Sequence, residues 1–284
     1  MIDVEQLEYS YPGTNKKTLQ GIDFSIARGE VFGFLGPSGA GKSTTQKILI
    51  GALRNYTGSV RIQGQEIRHL GSDYYERIGV AFEFPNFYSK FTALENLKLF
   101  QSLYRTSKDD PMDLLDKVGL DQAAHMKVSQ FSKGMKMRLN FCRSILHHPD
   151  ILFLDEPTSG LDPLNAKIMK DLILEQKAAG TTVLITTHNM HAAEELCDRV
   201  AFIVDGQIPL IDSPRALKLH HGQQRVRLEY TSSEEKHIEE FPTHNLGNNE
   251  RFLQLIRQHP IETLHSLEAT LDQIFIDVTG RTLV

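Results

Sequence analysis

The chain has 284 residues, which suffices for one large domain with a small appendage but not for two full catalytic domains. It is 40% hydrophobic and 24% charged, as in ordinary globular proteins, and its formal net charge of -5 argues against a general nucleic-acid binder. The longest apolar runs have the length of strands and fall far below the ~20 residues that cross a bilayer, so any membrane role requires a partner.

Short antiparallel strands are predicted at the start of the chain. Apolar and polar side chains alternate through residues 2–7 and again through 19–26. Turns are indicated at Pro12-Gly13 and at Arg28-Gly29, because both pairs are typical of tight turns. We therefore expect an antiparallel β subdomain ahead of the main sheet.

A glycine-rich loop follows the apolar run 31–35 and precedes a helical pattern that begins at Lys42. It reads G-x-x-x-x-G-K-[ST] in the strand-loop-helix context of a phosphate loop, which a chance glycine-rich turn would not require. Lys42 is expected to reach the β- and γ-phosphates, and the Ser43 hydroxyl is expected to ligate Mg²⁺. The predicted nucleotide-binding residues are Gly36, Pro37, Ser38, Gly39, Ala40, Gly41, Lys42, Ser43 and Thr44.

The middle of the chain is predicted to be a helical insert in an α/β core. Strands are expected at 58–64 and 78–82, helical spacing occupies about 84–150, and strands return at 151–154, 182–186 and 200–204. Helix-length segments separate the later strands, which is the pattern of parallel β-α units. The predicted fold class is α/β, with a P-loop NTPase core.

Two carboxylates end the predicted strand 151–154, at the edge where parallel sheets bind ligands. Asp155 is expected to hold Mg²⁺, and Glu156, facing the opposite way along the strand, is expected to polarise the attacking water. The alternative is that two acidic residues merely end a strand, which is less plausible downstream of a phosphate loop.

Residues 131–138, Phe-Ser-Lys-Gly-Met-Lys-Met-Arg, resemble the signature motif of ABC transporter ATP-binding subunits. The resemblance covers residues 1 to about 213 and implies a head-to-tail dimer that encloses two ATP molecules. Ser132 would cap a helix near Gly134, whose N-terminus would face the ATP of the second subunit. On these residues alone, an exposed turn capping an ordinary helix is the simpler alternative.

Three further positions match the family in the expected order. Asp162, in Ser159-Gly-Leu-Asp162, resembles the residue that senses the opposite site, and His188 resembles the switch histidine at the γ-phosphate. Tyr11 matches the aromatic residue that stacks on adenine, with Tyr9 as the competing candidate. The resemblance thus implies Glu156 and His188 as catalytic residues, and Asp162 as a residue acting in trans.

The sequence departs from the family pattern at two sites. Glu83 stands where the family usually has a glutamine that reaches Mg²⁺, and a carboxylate could keep that role or turn to solvent. In the signature, Phe131, Lys133 and Met135 stand where many members have Leu, Gly and Gln, and Lys133 could face the partner's phosphates or solvent. The expected metal ligands are Ser43, Glu83 and Asp155.

A membrane partner is expected at residues 84–91, where four aromatic side chains occur in eight residues. By resemblance this stretch would receive a multi-span permease, although burial inside the helical insert is the alternative. The chain would then lie in the cytoplasm, at the inner face of the membrane. The absence of a secretory signal in Met1–Glu5 and the two reduced thiols expected at Cys142 and Cys197 agree with that location.

The carboxyl-terminal region, 214–284, is predicted to be a small α+β accessory unit after a cassette of residues 1–213. A strand is expected around 226–230, and a helix is expected between Thr270 and Gly280.

The predicted function is ATP hydrolysis that powers a separately encoded transporter, in the style of bacterial exporters of drugs, antibiotic peptides or lipids. An importer ATPase is the alternative. A soluble ABC ATPase acting on nucleic acid or ribosomes is weaker, because only 89 residues separate Lys42 from Ser132 and the chain carries one cassette. A stand-alone P-loop kinase would not need the signature.

Overall fold

The structure is a computed structural model that describes residues 1–14, 16–105, 109–222, 224–232 and 235–281. The chain divides into two compact units, Met1–Ile211 and Asp212–Arg281.

The first unit alternates strands and helices after an all-β start, as the sequence predicts. In chain order its elements are β1 (Ile2–Tyr9), β2 (Leu19–Ile26), β3 (Val31–Leu35), α1 (Lys42–Leu49), β4 (Thr57–Ile62), β5 (Gln65–Glu66), β6 (Ile78–Ala81), α2 (Ala93–Gln101), α3 (Pro111–Lys117), α4 (Lys133–Ile145), β7 (Ile151–Asp155), α5 (Pro163–Ala178), β8 (Thr182–Thr187), α6 (Met190–Leu196), β9 (Arg199–Val204) and β10 (Gln207–Asp212).

The antiparallel sheet has the order β2-β1-β4-β5. Its strands alternate buried and exposed residues, so one face packs on the core while the other meets solvent. Phe24 of β2 joins the two sheets by contacting Phe32 and Phe34 of β3, with ring centroids 5.9 and 5.0 Å away. Strand β3, which carries two of these three rings, leads directly into the phosphate loop.

The central sheet has the order β10-β9-β3-β8-β7-β6, and its inner strands run parallel. Every residue of β3 and β8 is buried, as expected for strands covered on both faces. Strands β3, β8 and β7 are neighbours, and each delivers a predicted site residue just beyond its carboxyl end. The sheet order therefore brings the phosphate loop, His188 and the two carboxylates to one edge.

The predicted helical insert contains α2, α3 and α4, between β6 and β7. Helix α2 begins with a capping box in which Thr92 and Glu95 satisfy each other's backbone N–H groups. Helix α4 begins directly after Ser132, whose hydroxyl accepts a hydrogen bond from the N–H of Met135. The predicted capping role of Ser132 is therefore confirmed.

The second unit is an α+β structure, as predicted, although it holds more regular structure than the sequence indicated. Its elements are α7 (Pro214–His221), β11 (Arg225–Ser232), β12 (Glu235–Pro242), α8 (Glu250–Gln258), β13 (Ile261–Ser266) and α9 (Leu271–Thr279). Strand β11 lies at the centre of an antiparallel sheet of order β12-β11-β13. Phe252 and Leu255 of α8 pack with Leu228, Tyr230 and Phe241 in a small core.

Candidate active site

The phosphate loop turns between β3 and α1 around the side chain of Lys42. Its ammonium donates hydrogen bonds to the carbonyl oxygens of Gly36 (2.6 Å) and Pro37 (3.0 Å). Burial lowers the pKa of Lys42, while the charges of Glu156, Asp155 and Glu83 oppose that effect. The Lys42 amine thus lies inside the loop, where phosphate oxygens could replace its two carbonyl partners.

Asp155, the last residue of β7, accepts a hydrogen bond from the hydroxyl of Thr186 on β8. Burial raises the pKa of Asp155, and the neighbouring Glu156 charge raises it further, whereas the hydrogen bond from Thr186 and the Lys42 charge lower it. An incoming cation would stabilise the ionised carboxylate in this partly desolvated position.

Glu156 lies beyond the strand, and not one step along it as the sequence suggested. Its φ of 48° puts the backbone in the left-handed region, so the chain turns sharply after Asp155. The side chain is buried; Oε2 accepts from the Thr187 hydroxyl (2.8 Å) and Oε1 from the backbone N–H of His188 (2.9 Å). The two carboxylates are thus oriented by different hydroxyls of the same neighbouring strand.

An open cavity of about 440 Å³ brings most of the predicted site together. Its lining includes the predicted residues Tyr11, Ser38, Gly39, Gly41, Lys42, Ser43, Thr44, Glu83, Asp155, Glu156 and His188. Thr18 also lines the cavity and was missed by sequence reasoning, as were the supporting hydroxyls of Thr186 and Thr187. Thr186 and Thr187 could have been noticed in the sequence, because they are a pair of threonines at the end of an otherwise largely apolar strand.

The remaining phosphate-loop residues do not line the cavity, but their carbonyl oxygens accept hydrogen bonds that hold the loop in place. Gly36 and Pro37 provide the carbonyls that hold Lys42, and buried Ala40 accepts a hydrogen bond from the N–H of Gly206 (2.9 Å).

Tyr11, and not Tyr9, faces the cavity. Tyr9 is buried in the core, and its ring meets that of Tyr11 edge-on at 5.0 Å between centroids. The Tyr11 hydroxyl lies 3.2 Å from Thr44 Oγ1, which ties the aromatic ring to the first turn of α1. Of the two candidates, only Tyr11 is positioned for a base to stack on it.

The side chains of Ser43, Glu83 and Asp155 line the same cavity as Lys42. Hydroxyl and carboxylate oxygens suit Mg²⁺, which keeps several waters and shares phosphate oxygens when it binds with a nucleotide. Within the described ranges, no three His, Cys, Asp or Glu side chains form a cluster that could hold a metal unaided. The oxygen donors of Ser43, Glu83 and Asp155 fit Mg²⁺, which would also take phosphate oxygens of a bound nucleotide as ligands.

Ser132, Gly134 and Asp162 are not among the residues that line this cavity. Ser132 and Gly134 lie at the start of α4, where Gly134 packs so closely that a β-carbon there would be 3.2 Å from Leu161. Asp162 caps α5 by accepting a hydrogen bond from the N–H of Asn165 (3.1 Å). All three lie in one neighbourhood formed by the start of α4 and the loop before α5.

Family models match both units. Residues 19–159 match the family described as ABC transporter, and residues 224–268 match the family described as fluoroquinolone efflux ABC transporter C-terminal domain. Over its whole length the chain is 51% identical to a fluoroquinolones export ATP-binding protein of Mycobacterium tuberculosis, covering 94% of that protein. The chain belongs to the ATP-binding subunits of ABC transporters.

Other relatives and solved structures agree with this assignment of an ABC ATPase. A Nod factor export ATP-binding protein of Burkholderia orbicola is 32% identical over 99% of this chain and 98% of its own length. The structure of an ATP-binding subunit of an ABC transporter superposes with a TM-score of 0.70 at 28% identity, covering 78% of this chain and 92% of its own.

A second solved relative bears on the chemistry of this ABC ATPase. It is a dimeric ATP-binding cassette in a post-hydrolysis state with ADP and Pi, with a TM-score of 0.66 at 25% identity, covering 75% of this chain and 98% of its own. The predicted fold class and ATPase activity are thereby confirmed, as is the prediction of an exporter-type ATP-binding subunit.

Relatives of this kind imply a separate membrane component, and dimeric cassettes support a second nucleotide-binding subunit. None of the helices in the described ranges is long and apolar enough to cross a membrane.

Proposed function

We propose that this ABC ATPase powers the export of fluoroquinolone-type drugs through a separate membrane subunit. The observation that carries the proposal is the 51% identity, over all 284 residues, to a fluoroquinolones export ATP-binding protein. The match of residues 224–268 to a fluoroquinolone efflux C-terminal family supports it, because that match lies outside the widely shared ATPase cassette. Export is favoured over import because the names of both relatives described above specify export.

In the proposed mechanism, the phosphate loop binds the triphosphate and Tyr11 stacks on the base. Lys42 leaves the carbonyls of Gly36 and Pro37 for phosphate oxygens, which compensates for its desolvation. Ser43, Glu83 and Asp155 would hold Mg²⁺, whose role is to neutralise charge on the phosphates.

Glu156 is proposed as the base that orients and deprotonates the attacking water. Thr187 and the His188 backbone hold its carboxylate in place, so little reorganisation is needed. The His188 ring is proposed to contact the γ-phosphate, because it borders the cavity while contacting Glu156.

The pocket is proposed to be completed by a second subunit arranged head to tail. Ser132 and Gly134 would present the N-terminus of α4 to the partner's ATP, and Asp162 would report on the opposite site. The first turn of α4 carries no acidic residue and the helix dipole is positive there, so this helix end attracts anions. Closure with ATP and reopening after hydrolysis would drive the membrane subunit.

The membrane subunit is proposed to bind next to the helical insert, with the ATPase at the inner face of the membrane. Phe84 and Tyr88 are 76% and 56% exposed and Phe91 is exposed too, whereas Phe87 is half-buried, with its ring centroid 6.3 Å from that of Phe100 in α2. An apolar cavity of about 440 Å³ lies between the central sheet and the insert, bordered by Tyr75, Phe82, Phe100, Leu103 and Tyr104. An amphipathic helix could insert its apolar face there.

A drug-accumulation assay tests the proposed cargo. The chain and the membrane subunit that co-purifies with it are expressed together, and cellular uptake of a fluorescent fluoroquinolone is followed. Wild type should lower accumulation, Lys42→Ala should return accumulation to the level of cells without the transporter, and the control Lys167→Ala, an exposed lysine on α5, should behave as wild type. If accumulation is unchanged while the complex hydrolyses ATP, the proposed cargo is wrong.

A further inference from the structure

The two charged departures from the family pattern, Glu83 and Lys133, meet in the structure. Glu83 Oε1 lies 3.9 Å from Lys133 Nζ, with side chains 31% and 52% exposed. The family pattern has uncharged residues at both positions, whereas here opposite charges occupy both. The residues are 50 positions apart in sequence, so their contact joins separate segments.

Lys133 also contacts the loop that follows β7. Its ammonium donates a hydrogen bond to Ser159 Oγ (3.2 Å). Its aliphatic stem lies over Gly160, where a β-carbon would come within 3.0 Å of Lys133 Cδ. The ammonium is also 5.9 Å from the centre of the Phe84 ring. One side chain thus touches the segment after β6, the loop after β7 and its own helix.

The position of Lys133 would be unfavourable without a partner. It is the first residue of α4, where the helix dipole is positive and repels cations. No acidic residue in the first turn offsets that repulsion, so the compensating charge comes from Glu83. Glu83 in turn borders the nucleotide cavity, where its charge also acts on Lys42.

We propose that Lys133 is a positioning residue that, through Glu83 and Ser159, holds the loops after β6 and β7 against the start of α4. The three segments then move as one body within a subunit: the segment next to the membrane partner, the signature helix and the loop leading to Asp162. The expected effect on hydrolysis rests on the proposed head-to-tail dimer. The contacts of Lys133 with Glu83 and Ser159 lie within one subunit and do not depend on it.

The competing account gives the two residues separate roles. In it, Glu83 serves only Mg²⁺ and Lys133 serves only the partner's phosphates. The two possibilities predict different results in nucleotide-free protein, because only the contact within one subunit exists there to be broken. They also predict different results for the double variant: a shared contact is lost once, whereas two separate roles are lost independently.

Hydrogen exchange of nucleotide-free, full-length protein tests the contact. Lys133→Gln should raise amide exchange in residues 83–91 and 159–161 by about 1.4- to 5-fold, the effect of losing an exposed ion pair. Lys133→Arg should keep the wild-type protection, and Lys136→Gln, a change in the same helical turn, is the control. Unchanged exchange in Lys133→Gln at both segments overturns the proposal.

A double-mutant cycle tests the pairing. The amides of the double variant Glu83→Gln/Lys133→Gln should exchange no faster than those of the faster single variant, because both single changes break the same contact. In ATPase assays Lys133→Gln should lower kcat several-fold with little change in KM, since Lys42 still binds ATP. If the fold-changes in exchange rate of the two single variants multiply in the double variant, or if kcat of Lys133→Gln is unchanged, the shared positioning role is contradicted. Neither hydrogen exchange nor ATPase activity depends on the transported drug. Failure of the positioning proposal can therefore be told apart from failure of the proposed fluoroquinolone cargo.

Discussion

Glu156 Oε1 lies 2.6 Å from His188 Nδ1 and also accepts the backbone N–H of the same histidine at 2.9 Å. The carboxylate follows β7 and the histidine follows β8, so the parallel pairing of these strands sets their distance. The Glu156 side chain is only 10% exposed, whereas that of His188 is 61% exposed. A buried carboxylate, which we propose as the base, is therefore in contact with an exposed side chain that borders the cavity.

His188→Ala tests the role of that contact. The variant loses the ring but keeps the backbone N–H to Glu156, so ATP affinity should stay within about twofold. The rate of hydrolysis should fall by about 10²-fold or more, in the range of a lost acid–base or positioning group. Steady-state kinetics and a nucleotide titration measure the two effects. The exposed neighbour His191→Ala is the control, and a variant that hydrolyses ATP normally contradicts the role.

Tyr11→Ala should weaken ATP binding through lost stacking. At about 1–3 kcal/mol per base, the expected change is about 5- to 150-fold in Kd. Tyr11→Phe keeps the ring and loses only the hydroxyl near Thr44. It should therefore bind nearly as wild type, and GTP affinity should change in parallel with ATP affinity. Equal losses in the Ala and Phe variants would assign the effect to the hydroxyl instead.

Asp155→Asn should stabilise the nucleotide-free protein at neutral pH. The pKa of Asp155 is raised in the folded state, so its ionisation opposes folding. Its contribution is most favourable below the ordinary Asp pKa of about 4 and is lost as pH rises through the raised value. The asparagine keeps an oxygen to accept the Thr186 hydroxyl. Denaturant unfolding from pH 4 to 8 should show the variant's advantage growing with pH; an advantage that shrinks would contradict the desolvation argument.

Two glycines of the phosphate loop should differ in their tolerance of alanine. A β-carbon at Gly36 would lie 2.1 Å from the carbonyl oxygen of Ile203, so Gly36→Ala requires backbone movement. Gly39 has open space but a φ of 79°, so Gly39→Ala should cost only about 1–2 kcal/mol of backbone strain. Thermal unfolding should rank Gly36→Ala as clearly less stable. The reverse order would contradict the packing.

Sequence patterns predicted the first unit well because its signals are local. The phosphate loop, the apolar strands and the Ser132 cap each depend on residues adjacent in sequence. Glu156 was predicted as a continuation of β7, because a left-handed residue other than glycine leaves no local signature. The contact between Glu83 and Lys133 joins segments far apart in sequence, so neither residue alone could indicate it.

The second unit was predicted less completely. Strands β12 and β13 are exposed along most of their length, so they lack the apolar alternation that marks half-buried strands. The sequence analysis predicted no strand between 231 and 250 for this reason, although 235–242 form a strand paired with β11. The helix starting after Thr270 was predicted correctly, because its cap and its αL residue Gly280 are both local signals.

We propose Glu156 as the hydrolytic base of an ATP site that a second subunit completes. Its most direct test is Glu156→Gln, which keeps the size and the hydrogen-bonding oxygen of the side chain but cannot accept a proton. The exposed Glu175→Gln on α5 serves as the matched control.

Light scattering coupled to gel filtration, with and without Mg²⁺-ATP, is run alongside a phosphate-release assay on both variants. We predict that Glu156→Gln binds ATP, loses about 10²- to 10⁴-fold in hydrolysis and forms a dimer only with ATP. Wild-type hydrolysis by Glu156→Gln would show that Glu156 is not the base, and a variant that binds ATP but stays monomeric would show that ATP does not close a dimer.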